Sequence, residues 1–175
     1  MFTTVYEQDS FVPVARLVWL QPHLQEQAKI AEDKQWQELE HYVIPKRQKE
    51  RLEHQTQVGI RIYHYHTDHL GTPQELTNAL GEVVWLGYYN AWGELFDEKS
   101  FFNELDNLQV TAKQLQPIRF QGQFFDTETS LHYNRFRYYD SDVGMFVSRD
   151  PIGLMGGDNV FAYAPNPIGW FDPLG

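Results

Sequence analysis

Two copies of an Asp-Pro-x-Gly sequence lie near the end of the chain and are its first candidates for chemistry. One runs from Asp150 to Gly153 and the other from Asp172 to Gly175, with 21 residues between the two aspartates. Peptide hydrolysis needs one group that activates water and another that protonates the leaving nitrogen, and two carboxylates that share one proton supply both. Arg149, which precedes the first aspartate, could hold a carboxylate ionised or bind the developing oxyanion. Such a pair could form an aspartyl-type peptidase site.

The same two motifs are also strong turn signals. Pro151 and Pro173 fix φ directly after each aspartate, and Gly153 and Gly175 can adopt positive φ. Both carboxylates would then be presented on tight turns of similar shape. The segment between them is long enough to leave and return as one hairpin. Short motifs of this kind are also common in ordinary turns, so the residue pattern leaves a purely structural role open.

A second group of chemically capable side chains lies nearer the middle of the chain, at His64, His66, Asp68 and His69. Alternate residues of a strand point to one face, so the first two histidines could bind a metal together with Asp68 in the following turn. That arrangement would favour a metal-dependent nuclease. The alternative is that these side chains make hydrogen bonds between neighbouring hairpins, and the acidic charge of the chain supports that alternative. We therefore predict no metal and no cofactor.

The composition argues against several classes of protein. The net charge of −10 and the pI near 5.0 argue against a surface for nucleic acid or anionic membranes, because phosphates attract lysine and arginine. The absence of cysteine excludes disulfides, thiolate catalysis and cysteine-bound metals. The sequence contains no apolar run of about 18 residues and no basic region followed by an apolar one at its start. It therefore predicts neither membrane insertion nor a cleaved signal peptide.

The elements that would position these residues are mostly short strands. Residues 1–20 predict strand, turn and strand, with Pro13 on an edge strand or at the start of the second strand. From residue 58 onward, aromatic and β-branched residues alternate with polar ones in runs separated by turn residues. The segments YYNAWGEL and YYDSDVGMF repeat one order of residue types, which is typical of hairpins stacked side by side. The sequence therefore predicts a mainly β fold of short antiparallel hairpins, placed at one end of a larger sheet.

Two stretches interrupt the β pattern. Residues 22–57 are dense in glutamate, lysine and glutamine and predict surface helices, with Pro45 ending one helix and starting another that runs to about His54. Residues 97–114 predict a second helical insertion, with Ser100 as its N-cap.

From residue 60 to its end, the chain resembles the Rhs (rearrangement hotspot, or YD-repeat) family in the repeat-associated core of that family. The resemblance is carried by YHYHTDHLGTPQELTN, by YYNAWGEL and by PIRFQGQFFDTETSLHYNRFRYYDSDVGMFVSRDPIGLMGGDNVFAYAPNPIGWFDPLG. It implies three parts. These are a terminal YD-repeat hairpin at 1–20, a helical excursion at 21–57 that matches nothing specific in the family, and the core at 58–175 with an insertion at about 97–116.

The resemblance also implies a function. In this family a β-ribbon spirals into a hollow shell, the core closes one end, and an aspartyl protease within the core cuts free a toxin held inside. The dyad of such a protease would be Asp150 and Asp172. Expected partners are the rest of the shell, the enclosed toxin and components of type VI secretion. The protein would be made in the bacterial cytoplasm and exported without a cleaved signal peptide, and neither nucleic acid nor a membrane is expected as a partner.

The chain departs from the family pattern in two ways. It holds a small fraction of a shell, and it stops at Gly175, where the family continues with an apolar residue, usually leucine, and then the toxin. The bond to be cut, just after residue 175, is thus absent, and autoprotease activity is expected in the intact parent. The alternative is a catalytically silent shell fragment, or orphan Rhs protein, with a structural or partner-binding role.

Overall fold

The computed structural model describes residues 1–20, 46–47, 50, 54–55, 59–101, 110–172 and 174–175. Within these ranges the chain forms two antiparallel sheets and very little helix, which confirms the prediction of a mainly β fold. No helix in these ranges has the length and apolar character needed to cross a membrane.

The first sheet has six strands, and each strand pairs with the next one along the chain. Its strands are β1 (Phe2–Tyr6), β2 (Pro13–Trp19), β3 (Ile60–Thr67), β4 (Pro73–Thr77), β5 (Val83–Tyr89) and β6 (Leu95–Ser100). On β3, Arg61, Tyr63 and Tyr65 are buried, whereas His64 and His66 are exposed on the opposite face. The alternation in the sequence thus corresponds to one buried and one exposed face of the sheet.

The second sheet is smaller and carries the candidate site. Its strands are β7 (Phe124–Phe125), β8 (His132–Asn134), β9 (Arg137–Asp140) and β10 (Met145–Phe146), in the spatial order β10-β9-β8-β7. A short helix, α1 (Ala112–Leu115), precedes this sheet, and a 3-10 helix (Gly153–Gly156) follows it.

Three hairpin turns of the first sheet are built alike. Each begins on a residue whose side-chain oxygen accepts N–H bonds from the residues two and four positions later. Each has, three residues after that start, a glycine with φ between +79° and +82°, which glycine adopts without steric cost. The residues that begin these turns are Asp68, Asn78 and Asn90. An Asx-x-x-Gly sequence is therefore a repeated structural unit of this fold.

Each sheet has its own apolar core. The first core consists of Val18, Leu20, Tyr63, Tyr65, Leu76, Val84, Trp85, Leu115 and Ile118, and the second of Phe120, Tyr139, Phe146 and Tyr163. The Tyr139 hydroxyl donates a hydrogen bond to the carbonyl oxygen of Trp92 at 2.9 Å. This bond joins the second core to the turn between β5 and β6.

The helix predicted over 97–114 is wrong at its start. Residues 97–100 belong to β6, which pairs with β5 from Tyr89 opposite Leu95 to Trp85 opposite Ser100. Ser100, the predicted N-cap, is therefore the last residue of a strand. The ladder of hydrogen bonds to β5 outweighs the helix-like local composition, because strand pairing depends on the distant partner as well as on the segment itself. Residues 102–109 lie outside the described residues.

Helix is present further along this second stretch. Thr111 is the N-cap of α1, since its hydroxyl accepts the N–H of Gln114 while the Gln114 side chain accepts the N–H of Thr111. In the first stretch, 22–57, the described residues 46, 47, 50, 54 and 55 are helical. The remainder of that predicted helical pair lies outside the described residues.

Gly81 and Gly93 have the same φ of +82° but different surroundings, so substitutions at the two positions can measure how closely the first sheet packs on the second core. A Cβ added at Gly93 would lie 2.7 Å from the Phe120 ring, whereas one added at Gly81 would meet nothing within 4 Å. We expect Gly81→Ala to lower the free energy of unfolding by about 1–2 kcal/mol through backbone strain alone. Gly93→Ala should lower the free energy of unfolding by about 1–3 kcal/mol more than Gly81→Ala does, because an aromatic core residue must move. Urea unfolding of both variants measures the difference, and equal losses would contradict the packing of Gly93 on Phe120.

Candidate functional site

Both Asp-Pro-x-Gly motifs form Asx turns like those of the first sheet. Oδ1 of Asp150 accepts the N–H of the residue two positions later at 2.9 Å, and Gly153 has a φ of +59°. Oδ1 of Asp172 accepts the N–H groups of Leu174 and Gly175 at 3.2 and 3.0 Å, and Gly175 has a φ of +74°. Each turn therefore uses one carboxylate oxygen and leaves Oδ2 for another partner.

Arg137 is the partner that both Oδ2 atoms share. Its Nη2 lies 3.1 Å from Oδ2 of Asp150 and 3.1 Å from Oδ2 of Asp172. The two carboxylates are therefore separated by no more than twice that distance. The side chain of Arg137 is 2% exposed, whereas those of Asp150 and Asp172 are 18% and 28% exposed. One buried cation thus balances two carboxylates that keep partial access to water.

The guanidinium of Arg137, a residue of β9, contacts Phe146 on β10 and the backbone of Val160. Its Cζ lies 3.6 Å from the centroid of the Phe146 ring, a cation–π contact in the second core. Its Nη1 donates to the carbonyl oxygen of Val160 at 3.3 Å, and that same oxygen accepts the N–H of Asp150 at 2.8 Å. The charge that binds the carboxylates is therefore fixed to the core and to the first Asp turn.

The second turn rests on the hairpin formed by β8 and β9. Asn134 is fully buried, and its Nδ2 donates to the carbonyl oxygen of Asp172 at 2.8 Å. Tyr163, in the second core, lies close to the same aspartate. Burial raises the pKa of the Tyr163 hydroxyl, the Asp172 backbone N–H opposes that rise, and the Asp172 carboxylate adds to it. The phenol therefore remains a neutral O–H beside Asp172.

A cavity of about 470 Å³ is lined by both turns. Its lining residues are Phe136, Arg137, Asp150, Pro151, Ile152, Asp172, Leu174 and Gly175. Cavities of this size with a few polar groups among apolar walls are typical of binding sites for ligands or peptide segments. The two carboxylates thus lie at the wall of a space that a short piece of polypeptide could enter.

The structure brings together most of the residues that the sequence singled out. Asp150 and Asp172 meet at one cation, Gly153 and Gly175 adopt positive φ, and Pro151 lines the cavity. The remaining turn residue, Pro173, lies outside the described residues.

Arg149 forms an ion pair with neither aspartate. Its side chain is exposed, and it forms no ion pair in the part of the chain that the structure describes. The cation beside both carboxylates is Arg137, which is not among the residues predicted from the sequence. One signal pointed to it: Arg137 and Tyr139 are two residues apart on a strand and share a face. A buried arginine needs acceptors for its N–H groups, and a carboxylate is the strongest of these.

The histidine group near the middle of the chain makes hydrogen bonds within the fold. Nε2 of His66 lies 2.9 Å from a threonine hydroxyl on β4, and Nε2 of His69 lies 2.9 Å from a backbone carbonyl that precedes the second Asp turn. Oδ1 of Asp68 accepts two N–H groups of its own turn, and His64 is exposed on the outer face of β3. Across the described residues, no group of three or more histidine, cysteine, aspartate or glutamate side chains could hold a metal ion.

Comparison with known proteins gives a consistent set of matches. A family model described as RHS protein matches residues 62–99. The chain is 55% identical over 116 residues to "Double-stranded DNA deaminase toxin A" of Burkholderia cenocepacia, covering 66% of the chain and 8% of that protein. It is 38% identical over 175 residues to "Toxin protein Tse5" of Pseudomonas aeruginosa, covering 99% of the chain and 12% of that protein. The chain thus spans a small part of the length of these two relatives.

A solved structure supports the fold. The chain resembles the crystal structure of TcdB2-TccC3 without its hypervariable C-terminal region, with a TM-score of 0.56 and 24% identity. The match covers 66% of this chain and 5% of that one. At this level of identity the likeness bears on the arrangement of strands alone.

Proposed function

Because this chain belongs to the Rhs family, we propose that it is the core segment of a larger toxin protein and that Asp150 and Asp172 cut the peptide bond just after residue 175. The cut separates the shell from a C-terminal toxin. The observation that carries the proposal is the contact of both carboxylates with one buried nitrogen of Arg137. Turns that served only to reverse the chain would need no common cation.

The chemistry follows that of two carboxylates acting on one water. In the reactive state the pair holds a single proton. The ionised carboxylate takes a proton from water as the water oxygen attacks the carbonyl carbon of the scissile bond. The carbon–nitrogen bond then breaks, and the protonated carboxyl gives its proton to the leaving nitrogen. Asp150 and Asp172 both line the cavity, so either could take either role.

Arg137 has two functions in this scheme. Its charge keeps two carboxylates close together that would otherwise repel each other, because a cation between like charges removes most of the repulsion. Its donors hold both Oδ2 atoms in one place, which gives the pre-organised geometry that catalysis requires. A donor at the site also stabilises the negative charge that develops on the scissile carbonyl oxygen.

The remainder of the parent protein supplies the partners. The strands of the first sheet, β1 to β6, lie side by side in chain order, as expected for a segment of a β-shell. We propose that the rest of the shell continues from this sheet and encloses the toxin until it is cut. Export would follow without a cleaved signal peptide, with type VI secretion components as further partners. Relatives named as toxins support the place of this segment in a toxin protein.

A second candidate function is that of a catalytically silent shell segment. The observation that favours it is the recurrence of the same Asx turn at Asn78 and Asn90, where the residue that begins the turn carries an amide in place of a carboxylate. In this alternative the ion pairs of Arg137 with both aspartates only hold the two turns together. The segment then acts by enclosing or binding a partner.

One experiment separates the two candidates. The full-length parent, with its native residues after Gly175, is expressed beside the double variant Asp150→Asn/Asp172→Asn, and intact mass is measured for both. We expect two fragments from the parent, with a new C-terminus just after residue 175, and one uncut chain from the double variant. A single uncut chain from the parent itself would support the silent segment.

A further inference from the structure

We propose that Asn134 is a positioning residue for this cleavage, which holds Asp172 and the chain that leaves Gly175 in register with the two carboxylates. The inference rests on the proposed function. Asn134 ends β8 and, in the register of the β8–β9 hairpin, stands opposite Arg137. The residue that binds the carboxylates and the residue that binds the adjacent backbone are therefore paired with each other.

Arg137 and Asn134 bind Asp172 through its side-chain carboxylate and its backbone carbonyl, respectively. Nη2 of Arg137 binds Oδ2 of the side chain at 3.1 Å, and Nδ2 of Asn134 donates to the backbone carbonyl oxygen at 2.8 Å. A carboxylate held only through its side chain can rotate about its own backbone. With its carbonyl also held, Asp172 has one orientation relative to the hairpin, and so does the peptide that follows it.

The far end of the turn lies against the same hairpin. A Cβ added at Gly175 would collide with the backbone carbonyl oxygen of Asn134 and would lie 3.4 Å from the backbone nitrogen of Arg137. Together with its φ of +74°, this close approach requires glycine at position 175. The hairpin thus fixes the start of the turn through the Asn134 side chain and its end through backbone packing, which sets where the next peptide bond lies.

The β8–β9 hairpin contains two locally unfavourable features beside these contacts: an unpaired buried oxygen and a positive φ. Oδ1 of Asn134 is buried and has no hydrogen-bond partner among the described residues. Arg135, which follows it, has a φ of +50°, a conformation that non-glycine residues seldom adopt. An apolar residue at position 134 would leave no oxygen unpaired, so the property that requires asparagine is the donor on Nδ2.

The test compares Asn134→Ala with Asn134→Asp in the full-length parent with its native residues after Gly175. Protein is made by cell-free translation, synthesis is stopped, and the first-order rate of cutting is followed at neutral and at mildly acidic pH. We expect Asn134→Ala to slow cutting by about 10–100-fold at every pH, because the donor is lost. Asn134→Asp should be as slow at neutral pH but should regain rate relative to the parent on acidification, since a protonated carboxyl can donate its O–H to Asp172.

Asn166→Ala is the matched control. Asn166 is an exposed asparagine of the same C-terminal segment whose Oδ1 accepts the N–H of Ile168 at 3.0 Å, and it lies outside the cavity lining. This variant should cut at the parent rate, and limited proteolysis at each pH confirms that every variant is folded. Equal, pH-independent rates for both Asn134 variants would indicate a role in folding alone and would overturn the inference. Cutting of Asn134→Ala at the parent rate would overturn it too, while leaving the proposed function intact. A parent that stays uncut would overturn both.

Discussion

Either Asp150→Asn or Asp172→Asn should leave the full-length parent uncut, with a rate of cleavage reduced by at least about 10²–10⁴-fold. The reason is that the two oxygens of each carboxylate have different partners. Oδ1 accepts backbone N–H groups within its turn, and Oδ2 faces Arg137. Asparagine keeps the first of these contacts, because its amide oxygen accepts the same bonds. It loses the second, because its amide nitrogen then faces another donor.

Because asparagine keeps the turn contacts, we expect both single variants to fold but not to cleave. Asn78 and Asn90 already begin turns of the same kind in the first sheet, so asparagine is compatible with the turn itself. Asp68→Asn is the matched control: Asp68 begins the same turn, but its carboxylate lies away from Arg137. We expect Asp68→Asn to cut at the parent rate. Gel electrophoresis of the full-length variants after a timed expression measures all three rates.

The double variant adds a further check. The two losses should not multiply, because a pair with one member missing has already lost the proton that both share. Asp150→Asn/Asp172→Asn should therefore cut no more slowly than the slower single variant. Undiminished cleavage in the double variant would contradict the mechanism and return both motifs to the role of ordinary turns.

Local chemistry made the aspartates predictable from the sequence. A proline after each aspartate and a glycine three residues on favour a turn within four residues, so the repeated motif already indicated two tight turns that present a carboxylate. The alternation on β3 likewise indicated a strand with two distinct faces. In both cases the information lies within a few neighbouring residues.

Arg137 and β6 could not be predicted in the same way, because long-range contacts decide them. Arg137 meets Asp150 and Asp172 across 13 and 35 positions of sequence, and nothing local to any of the three specifies that meeting. The strand character of residues 97–100 depends on pairing with β5, whereas their own composition favours a helix. Sequence periodicity predicts which face of an element is buried, but the neighbour that buries it comes from topology.

Arg137→Met is the second change with a large expected effect, since it removes the cation and keeps most of the side-chain volume. Cleavage should fall at least as far as in the single aspartate variants, because both carboxylates lose their common donor. Breaking a buried ion pair usually lowers the free energy of unfolding by about 3–5 kcal/mol. We expect somewhat less here, since the carboxylates of Asp150 and Asp172 are 18% and 28% exposed and can recover water.

A double-mutant cycle separates the ion pairs from packing on Phe146. In the background of Asp150→Asn/Asp172→Asn, Arg137 is a buried cation without a carboxylate, so Arg137→Met should there be neutral or stabilising. If Arg137→Met lowers the free energy of unfolding in the parent but not in the double asparagine variant, the loss is due to the ion pairs. The exposed Arg149 is the matched control, and Arg149→Ala should slow cutting far less than Arg137→Met. The reverse order of these two arginines would show that the cation at the site is the one adjacent in sequence, and that the contact of Arg137 with both aspartates is structural.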